Sequence, residues 1–93
     1  MMKTHELKSW QEFFEAVLQG EKTFEVRYND RGYRVGDMLR LREWNGKTGQ
    51  YTGRELRMEV KYIMPWSMIT GYGIGLLPGW VVMAIVPTGD AKI

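Results

Sequence analysis

Three stretches of this chain alternate apolar and polar residues with a period of two, and this pattern constrains the fold more than any other sequence feature. The stretches are residues 23–28, 38–44 and 54–64. A period of two is typical of β-strands, whose successive side chains point to opposite faces. The second and third stretches are joined by the turn-rich loop 45–53 and therefore predict a β-hairpin.

The alternation also predicts which residues share a face. In the first stretch Phe24, Val26 and Tyr28 lie on one face, whereas Glu25 and Arg27 lie on the other. In the second stretch the leucines and the arginines separate in the same way. The apolar face of the third stretch is predicted to consist of Leu56, Met58, Val60 and Tyr62.

Residues 9–20, SWQEFFEAVLQG, predict one amphipathic helix. Ser9 followed by Glu12 three residues later indicates a capping box at its start, and Gly20 indicates a left-handed C-terminal stop. An apolar stripe at helical spacing is expected to pack in the core. Its members are Trp10, Phe13, Phe14, Val17 and Leu18.

The remaining segments complete a small fold. Residues 4–8 suggest an opening strand, and the turn around Gly36 places Asp37 where it can accept hydrogen bonds from backbone N–H groups. Residues 80–86 are apolar on both faces, which predicts a buried central strand, and residues 87–93 are expected to form a loose tail. We therefore predict a single α+β domain over residues 1–93, a small, mostly antiparallel β-barrel with one main N-terminal helix packed against it.

Composition excludes several classes of site. The 93 residues include no cysteine and one histidine, so we expect no disulfide, no metal site and no cofactor. Residues 62–89 are uncharged, but glycines and prolines interrupt them before the ~20 apolar residues that a membrane span requires. We expect a soluble cytoplasmic protein, whose net charge of +2 permits a polyanionic partner.

The segment 20–27, GEKTFEVR, carries the main candidate site. Glu25 and Arg27 share a face of the predicted strand, and Lys22 lies at the strand entry. One interpretation is a surface ladder of ion pairs, each worth about 0.5 kcal/mol. The other is a polar pocket in which Lys22 and Arg27 bind an anion or a base edge and Glu25 accepts a hydrogen bond from an amino or hydroxyl group.

This segment resembles the G-x-K-x-x-E-x-R signature of the ASCH domain superfamily. The segments LREW, YTGRE and GWVVMAI follow in the order found in the short bacterial and phage branch of that superfamily. The resemblance implies a PUA-like fold and a cleft beside the helix that binds RNA or nucleotides. It places Lys22, Glu25 and Arg27 in that cleft, with Asn29, Asp30 and Arg31 at its rim.

Two further residues are candidates for ligand binding. Arg42 ends a predicted strand from which its side chain reaches toward the cleft. His5, next to Glu6 in the opening strand, is either a ligand contact or a hydrogen-bonded structural residue.

The resemblance also leaves a hydrolase as an alternative. One branch of the superfamily is an amidohydrolase of an acylated cytidine nucleoside that uses a Lys, a Thr three residues later and a distant acidic residue. Lys22 matches that Lys, but Glu25 stands at the Thr position, and no acidic residue occurs between Glu59 and Asp90. A hydrolase acting on a modified nucleoside or RNA would have to use Lys22 and Glu25 as its acid–base pair.

A second alternative is an accessory domain that binds a protein. The uncharged region 62–89 could contact a partner protein or a second copy of the chain. Trp66 and Tyr72 in this region are candidates for a base-stacking platform, a lid, a subunit contact or ordinary packing.

Overall fold

The computed structural model describes residues 2–65 and 78–92, and the side chains of residues 2–64 and 78–88. The expectations for Trp66 and Tyr72 lie outside the described residues. The chain is mostly strand, with one short helix. In chain order the elements are β1 (Thr4–Trp10), α1 (Gln11–Leu18), β2 (Phe24–Tyr28), β3 (Met38–Asn45), β4 (Gln50–Pro65) and β5 (Trp80–Lys92).

All five strands form one sheet in the order β1-β3-β4-β5-β2. The predicted β3–β4 hairpin is confirmed, and β4–β5 and β2–β5 are also antiparallel. The pair β1–β3 is parallel, with Leu7 opposite Leu41. The sheet is therefore mostly antiparallel, as expected, and it curls into a half-barrel with β1 and β2 at its two edges.

The concave side of the half-barrel holds the hydrophobic core. Alternate residues of β1, β3, β4 and β5 point into it, and Phe14 and Val17 of α1 cover them. Leu39, Leu41, Val60 and Met83 have no measurable exposure. Burial of each such side chain contributes about 1.5–3 kcal/mol, so the strand alternation and the helix together account for the core.

The helix differs from its prediction at its start. β1 continues through Trp10 and α1 begins at Gln11, so Ser9 belongs to the strand and caps nothing. The expected core positions of Trp10 and Phe13 are also wrong, since these side chains are 47% and 53% exposed. A helix of only two turns presents a narrow face to the sheet. The predicted left-handed stop is confirmed, with a φ of 78° at Gly20.

A β-bulge changes the phase of β4. Val60 pairs with Ile85, but Tyr62 pairs with Ala84, so one extra residue lies on β4 between the two pairs. The bulge turns Tyr62 outward, where it is 52% exposed, and Ile63 packs against the core instead. The prediction that Tyr62 lies on the buried face is therefore wrong.

The last strand is central, between β4 and β2, as its apolar sequence predicted. Only its inner face is fully buried, because Ala84 and Val86 are exposed on the convex side. The strand continues through Lys92, which pairs with Leu56, so it extends into the segment expected to form a tail. Within residues 2–65 and 78–92 no helix is long and apolar enough to cross a membrane.

Candidate functional site

The charged face of β2 points into the half-barrel. Glu25 is 3% exposed, whereas Phe24, Val26 and Tyr28 on the opposite face are 38–54% exposed. The predicted alternation is therefore present, with its polar face inside. Of the two interpretations of this segment, the surface ladder of ion pairs does not describe it.

Two cations hold the buried carboxylate of Glu25. Nζ of Lys22 donates to one of its oxygens at 2.8 Å, and Nε of Arg27 donates to the other at 2.9 Å. Lys22 also donates to the backbone carbonyl of Phe24 at 2.7 Å. A carboxylate offers about four lone-pair positions, so Glu25 can accept further hydrogen bonds from a ligand.

Arginine side chains connect the two edge strands of the sheet. Nη2 of Arg27, on β2, donates to the backbone carbonyl of Lys8 on β1 at 2.9 Å. Arg31, just after β2, donates to the carbonyl of Glu6. These contacts bring the open edges of the half-barrel together and define the width of the gap between them.

A cavity of about 500 Å³ opens at this gap. It is bounded by residues 8–10 of β1, by Phe13 of α1, by Lys22 and by residues 24–27 of β2. Its walls are mainly apolar, and the charged cluster of Lys22, Glu25 and Arg27 lies within them. A concave, largely apolar site with a few convergent polar groups is typical of small-molecule binding sites.

Ser9 adds an unpaired hydroxyl to this cavity. The residue is 2% exposed, and its Oγ has no hydrogen-bond partner within the described part of the chain. Buried polar atoms are nearly always paired, and leaving one unpaired costs about 1–3 kcal/mol. Because the Oγ atom itself is buried, a hydrogen bond from Ser9 to a bound molecule requires its side chain to rotate toward the cavity.

Comparison with known proteins assigns a family. The family model described as "Domain of unknown function (DUF3850)" matches residues 4–85, which is nearly the whole chain. The chain belongs to the DUF3850 family. It is also similar to the "Uncharacterized 12.9 kDa protein in GpA 3'region" of Escherichia phage P2, with 42% identity over 60 residues. That match covers 64% of this chain and 53% of the phage protein, so the similarity spans about half of the relative's length.

The other predicted site residues of this DUF3850 chain lie outside the cavity wall. Oδ1 of Asn29 accepts a hydrogen bond from the backbone N–H of Tyr33 and stabilises the turn after β2. Arg31 donates its hydrogen bond to the backbone carbonyl of Glu6 on β1, as described above. Arg42 lies on the convex face of β3, where its guanidinium is 3.4 Å from Glu55.

His5 is a buried structural residue. Its Nε2 lies 2.8 Å from Oδ2 of Asp37, and its ring packs edge-to-face on Tyr33 at 4.8 Å. Asp37 also accepts hydrogen bonds from the backbone N–H groups of Lys3 and Arg34, which confirms its predicted role in the turn. Burial alone would raise the pKa of Asp37, but these hydrogen bonds outweigh burial and the pKa lies below its ordinary value.

The buried carboxylate of Glu43 attaches α1 to the β3–β4 hairpin. It accepts hydrogen bonds from the Thr52 hydroxyl at 2.6 Å and from Arg54 at 2.9 Å, and Arg54 also contacts Glu15 of the helix. Its hydrogen bonds to Arg54 lower the pKa of Glu43 despite burial. Because this cluster is fully paired and lies outside the cavity wall, we assign it a structural role.

Sequence reasoning missed Ser9, Trp10 and Phe13 as cavity residues. It assigned all three to the helix, Ser9 as a cap and the aromatic residues as core. The sequence carries no clear signal for this, because the residues of THELKSW do not alternate between apolar and polar. Only the structure shows that exposed and buried positions alternate along β1, with Ser9 on the inner face beside His5 and Leu7.

Proposed function

We propose that this chain binds RNA or nucleotides in the cavity between β1 and β2. One observation supports the proposal above all others. Two cations converge on a carboxylate that is 3% exposed, and they do so within a cavity that aromatic side chains also line. An ion-pair cluster needed only for stability has no requirement for a cavity beside it.

The polar groups of the cavity suit a nucleotide. Glu25 has lone pairs left to accept a hydrogen bond from a base amino group or a ribose hydroxyl. Lys22 uses two of its three N–H donors internally, and Arg27 uses Nε and Nη2, so both retain donors for a phosphate or a base carbonyl. Ser9 can donate to or accept from the same ligand once its buried hydroxyl rotates toward the cavity.

The aromatic residues suit the base. Trp10 and Phe13 are about half exposed, and both line the cavity. Stacking of a base on an aromatic side chain contributes about 1–3 kcal/mol and does not depend on base identity. Stacking would therefore supply affinity while Glu25 and Ser9 supply selectivity.

The resemblance to the ASCH superfamily supports the same conclusion and extends it to the fold. We propose that the DUF3850 family shares the PUA-like fold, a curled sheet with a helix beside its ligand cleft. The order of the segments along the chain and the position of Lys22, Glu25 and Arg27 next to α1 are the features that favour this assignment.

Binding explains the geometry better than hydrolysis does. Both oxygens of Glu25 already accept hydrogen bonds from cations, and Lys22 is held by Glu25 and by the carbonyl of Phe24. A general base must reach the proton that it removes, which here requires both contacts to rearrange. Hydrolysis of a modified nucleoside would be detected in the experiment below as a new product.

The test is a titration of the isotope-labelled chain, followed by NMR. The ligands are nucleotides with a base amino group (adenine, cytosine, guanine), nucleotides without one (uracil, hypoxanthine) and short single-stranded RNAs. We expect shifts that converge on Lys22, Glu25 and Arg27, with tighter binding of the amino-bearing bases. Glu25→Gln should abolish that preference, because the amide no longer offers two acceptor oxygens.

Charge is tested separately. Lys22→Gln and Arg27→Gln should each weaken binding and reduce its salt dependence. Lys47→Gln is the control, because it removes a charge from the exposed hairpin turn. It should change neither the ligand-induced chemical shifts of the cavity residues nor the preference for amino-bearing bases. If the Lys22 and Arg27 variants bind as the wild type does, the cavity is not the binding site. If no member of the panel shifts cavity resonances, the cluster is a structural one.

A further inference from the structure

A second surface next to the cavity combines aromatic rings with cations. Trp10 of β1, Trp44 of β3 and Tyr51 of β4 are consecutive in one row across the convex face of the sheet, since Trp10 pairs with Trp44 and Trp44 pairs with Tyr51. Lys8 and Arg42 occupy the next row. We call these five residues the platform.

The rings and cations of the platform contact one another. Nζ of Lys8 lies 3.9 Å from the centroid of the Trp44 ring, and the guanidinium carbon of Arg42 lies 3.9 Å from that of Tyr51. The two rings pack edge-to-face with their centroids 5.0 Å apart. These contacts fix the positions of the side chains before any ligand arrives, which reduces the entropic cost of binding.

The outermost ring is also held in place. Trp10 is 47% exposed, yet its indole lies directly on the backbone of Gly46, where an added Cβ would come within 2.1 Å of the ring. Tyr51 at the other end of the row is 40% exposed. Exposed aromatic side chains that the fold holds in fixed positions have the properties of a stacking surface.

We propose that the platform binds the nucleotides adjacent to the one in the cavity, so that the ligand is a single-stranded nucleic acid rather than a free nucleotide. The inference rests on the proposed function. Trp10 belongs to both surfaces, because it forms part of the cavity wall and also ends the aromatic row. Two strand spacings separate Trp10 from Tyr51, about 10 Å, which is room for bases beyond the first.

The charges around the platform are compatible with a strand of phosphates. Arg40 and Arg42 contact two carboxylates on the same surface, Glu6 and Glu55, whereas Lys8 lies over the Trp44 ring. Arg40 makes a two-bond contact with Glu55, at 2.7 and 2.8 Å. The ion pairs of Arg42 are longer, at 3.4 and 3.5 Å, so its guanidinium retains N–H donors for a phosphate while it stays on the Tyr51 ring.

The experiment compares a mononucleotide with single-stranded RNA and DNA oligonucleotides of increasing length in binding to the full chain. Affinity should rise with length up to the number of bases that the platform holds. Tyr51→Ala should weaken oligonucleotide binding by about fivefold or more, the equivalent of one stacked base at ~1 kcal/mol, and should leave mononucleotide binding unchanged.

A matched control is available on the same strand. Tyr62→Ala removes a tyrosine that is 52% exposed on the convex face of β4, at its other end, and should change neither affinity. For the oligonucleotide, log K falls as log salt concentration rises. Lys8→Gln should make this dependence shallower by about 0.7, the contribution of one phosphate contact. Thermal unfolding of each variant shows whether its fold is intact.

The outcomes separate this inference from the proposed function. The platform is refuted and the cavity site stands if mononucleotide binding depends on Lys22 and Arg27 but oligonucleotides bind no more tightly than mononucleotides. The platform is also refuted if the Tyr51 and Tyr62 variants bind oligonucleotides equally well. If oligonucleotides bind through Tyr51 without any dependence on Lys22 or Arg27, the cavity proposal fails instead. If RNA and DNA of one sequence bind equally, the platform reads bases and phosphates without contacting the 2′-hydroxyl.

Discussion

Arg27 joins the two edge strands of the half-barrel by donating a hydrogen bond from Nη2 to the backbone carbonyl of Lys8 at 2.9 Å. The same guanidinium donates from Nε to Glu25, so one planar side chain serves the sheet and the cavity at once. Lysine has the same charge but only a single ammonium group, which cannot reproduce the fork geometry of arginine.

Arg27→Lys should therefore loosen the gap between β1 and β2. We expect the free energy of unfolding to fall by about 1.5–3 kcal/mol, the value of a lost hydrogen bond that involves a charged group. Urea unfolding measures the loss. Arg34→Lys, at an exposed turn position, is the control and should change stability by less than about 0.5 kcal/mol. Equal stability of the Arg27 variant and the control would mean that Arg27 does not close the sheet.

Ser9→Ala should separate stability from binding. The buried hydroxyl of Ser9 has no partner among residues 2–65 and 78–92, so its removal should leave the fold as stable as before or up to about 1 kcal/mol more stable. Binding of a nucleotide should weaken, because the ligand loses a hydrogen bond in the cavity. Thermal unfolding and NMR titration of the same sample measure both effects.

Thr52→Val is the matched control for this prediction. The Thr52 hydroxyl donates to the buried Glu43 at 2.6 Å, outside the cavity, so its loss should destabilise the fold and leave nucleotide affinity unchanged. A Ser9 variant that loses stability and keeps its affinity would instead indicate an ordinary structural hydroxyl.

Asp37 should contribute to stability in a pH-dependent way. Its pKa is lowered in the folded chain, so its contribution is present above the unfolded value of about 3.9 and is lost as the pH falls through the lower folded value. Asp37→Asn should cost about 1–3 kcal/mol at neutral pH, because the amide can satisfy fewer of the donors around it. The difference from the wild type should shrink below a pH of about 4.

Urea unfolding of both proteins between pH 7 and pH 3 measures this dependence. Lowered pKa values at Glu43 and Glu55 make the wild type acid-sensitive in any case, so the informative quantity is the difference between the two proteins. A difference that stays constant across this range would show that the ionisation of Asp37 does not contribute to folding.

Much of the fold follows from the period of two in the sequence. The alternation located β2, β3 and β4 and separated Leu39 and Leu41 from the arginines of β3. It could not determine which face of β2 lies inside, because an alternating pattern shows only which residues share a face of the strand. β2 is an edge strand whose inner face meets a cavity rather than the apolar core, so Glu25 is buried and Phe24 is exposed.

What the sequence pattern did not predict has three separate causes. The bulge after Val60 shifts the phase of β4 by one residue, and no turn residue in the sequence marks it. Ser9 fits a capping box by spacing, yet β1 runs directly into α1 and leaves no place for a cap. The parallel pairing of β1 with β3 joins residues about 34 positions apart, and local patterns carry no information on such a contact.

Gly46→Ala should show whether Trp10 must be held where it is. A Cβ at position 46 would lie 2.1 Å from the Trp10 ring, so the indole has to move away from the backbone. We expect a changed near-ultraviolet circular dichroism spectrum and weaker oligonucleotide binding, by up to the value of one stacked base, about 1–3 kcal/mol. Lys47→Ala, in the same turn, controls for the loop and should leave the Trp10 signal unchanged. A Gly46 variant that moves the indole and binds oligonucleotides as tightly as the wild type would show that Trp10 does not stack on a base.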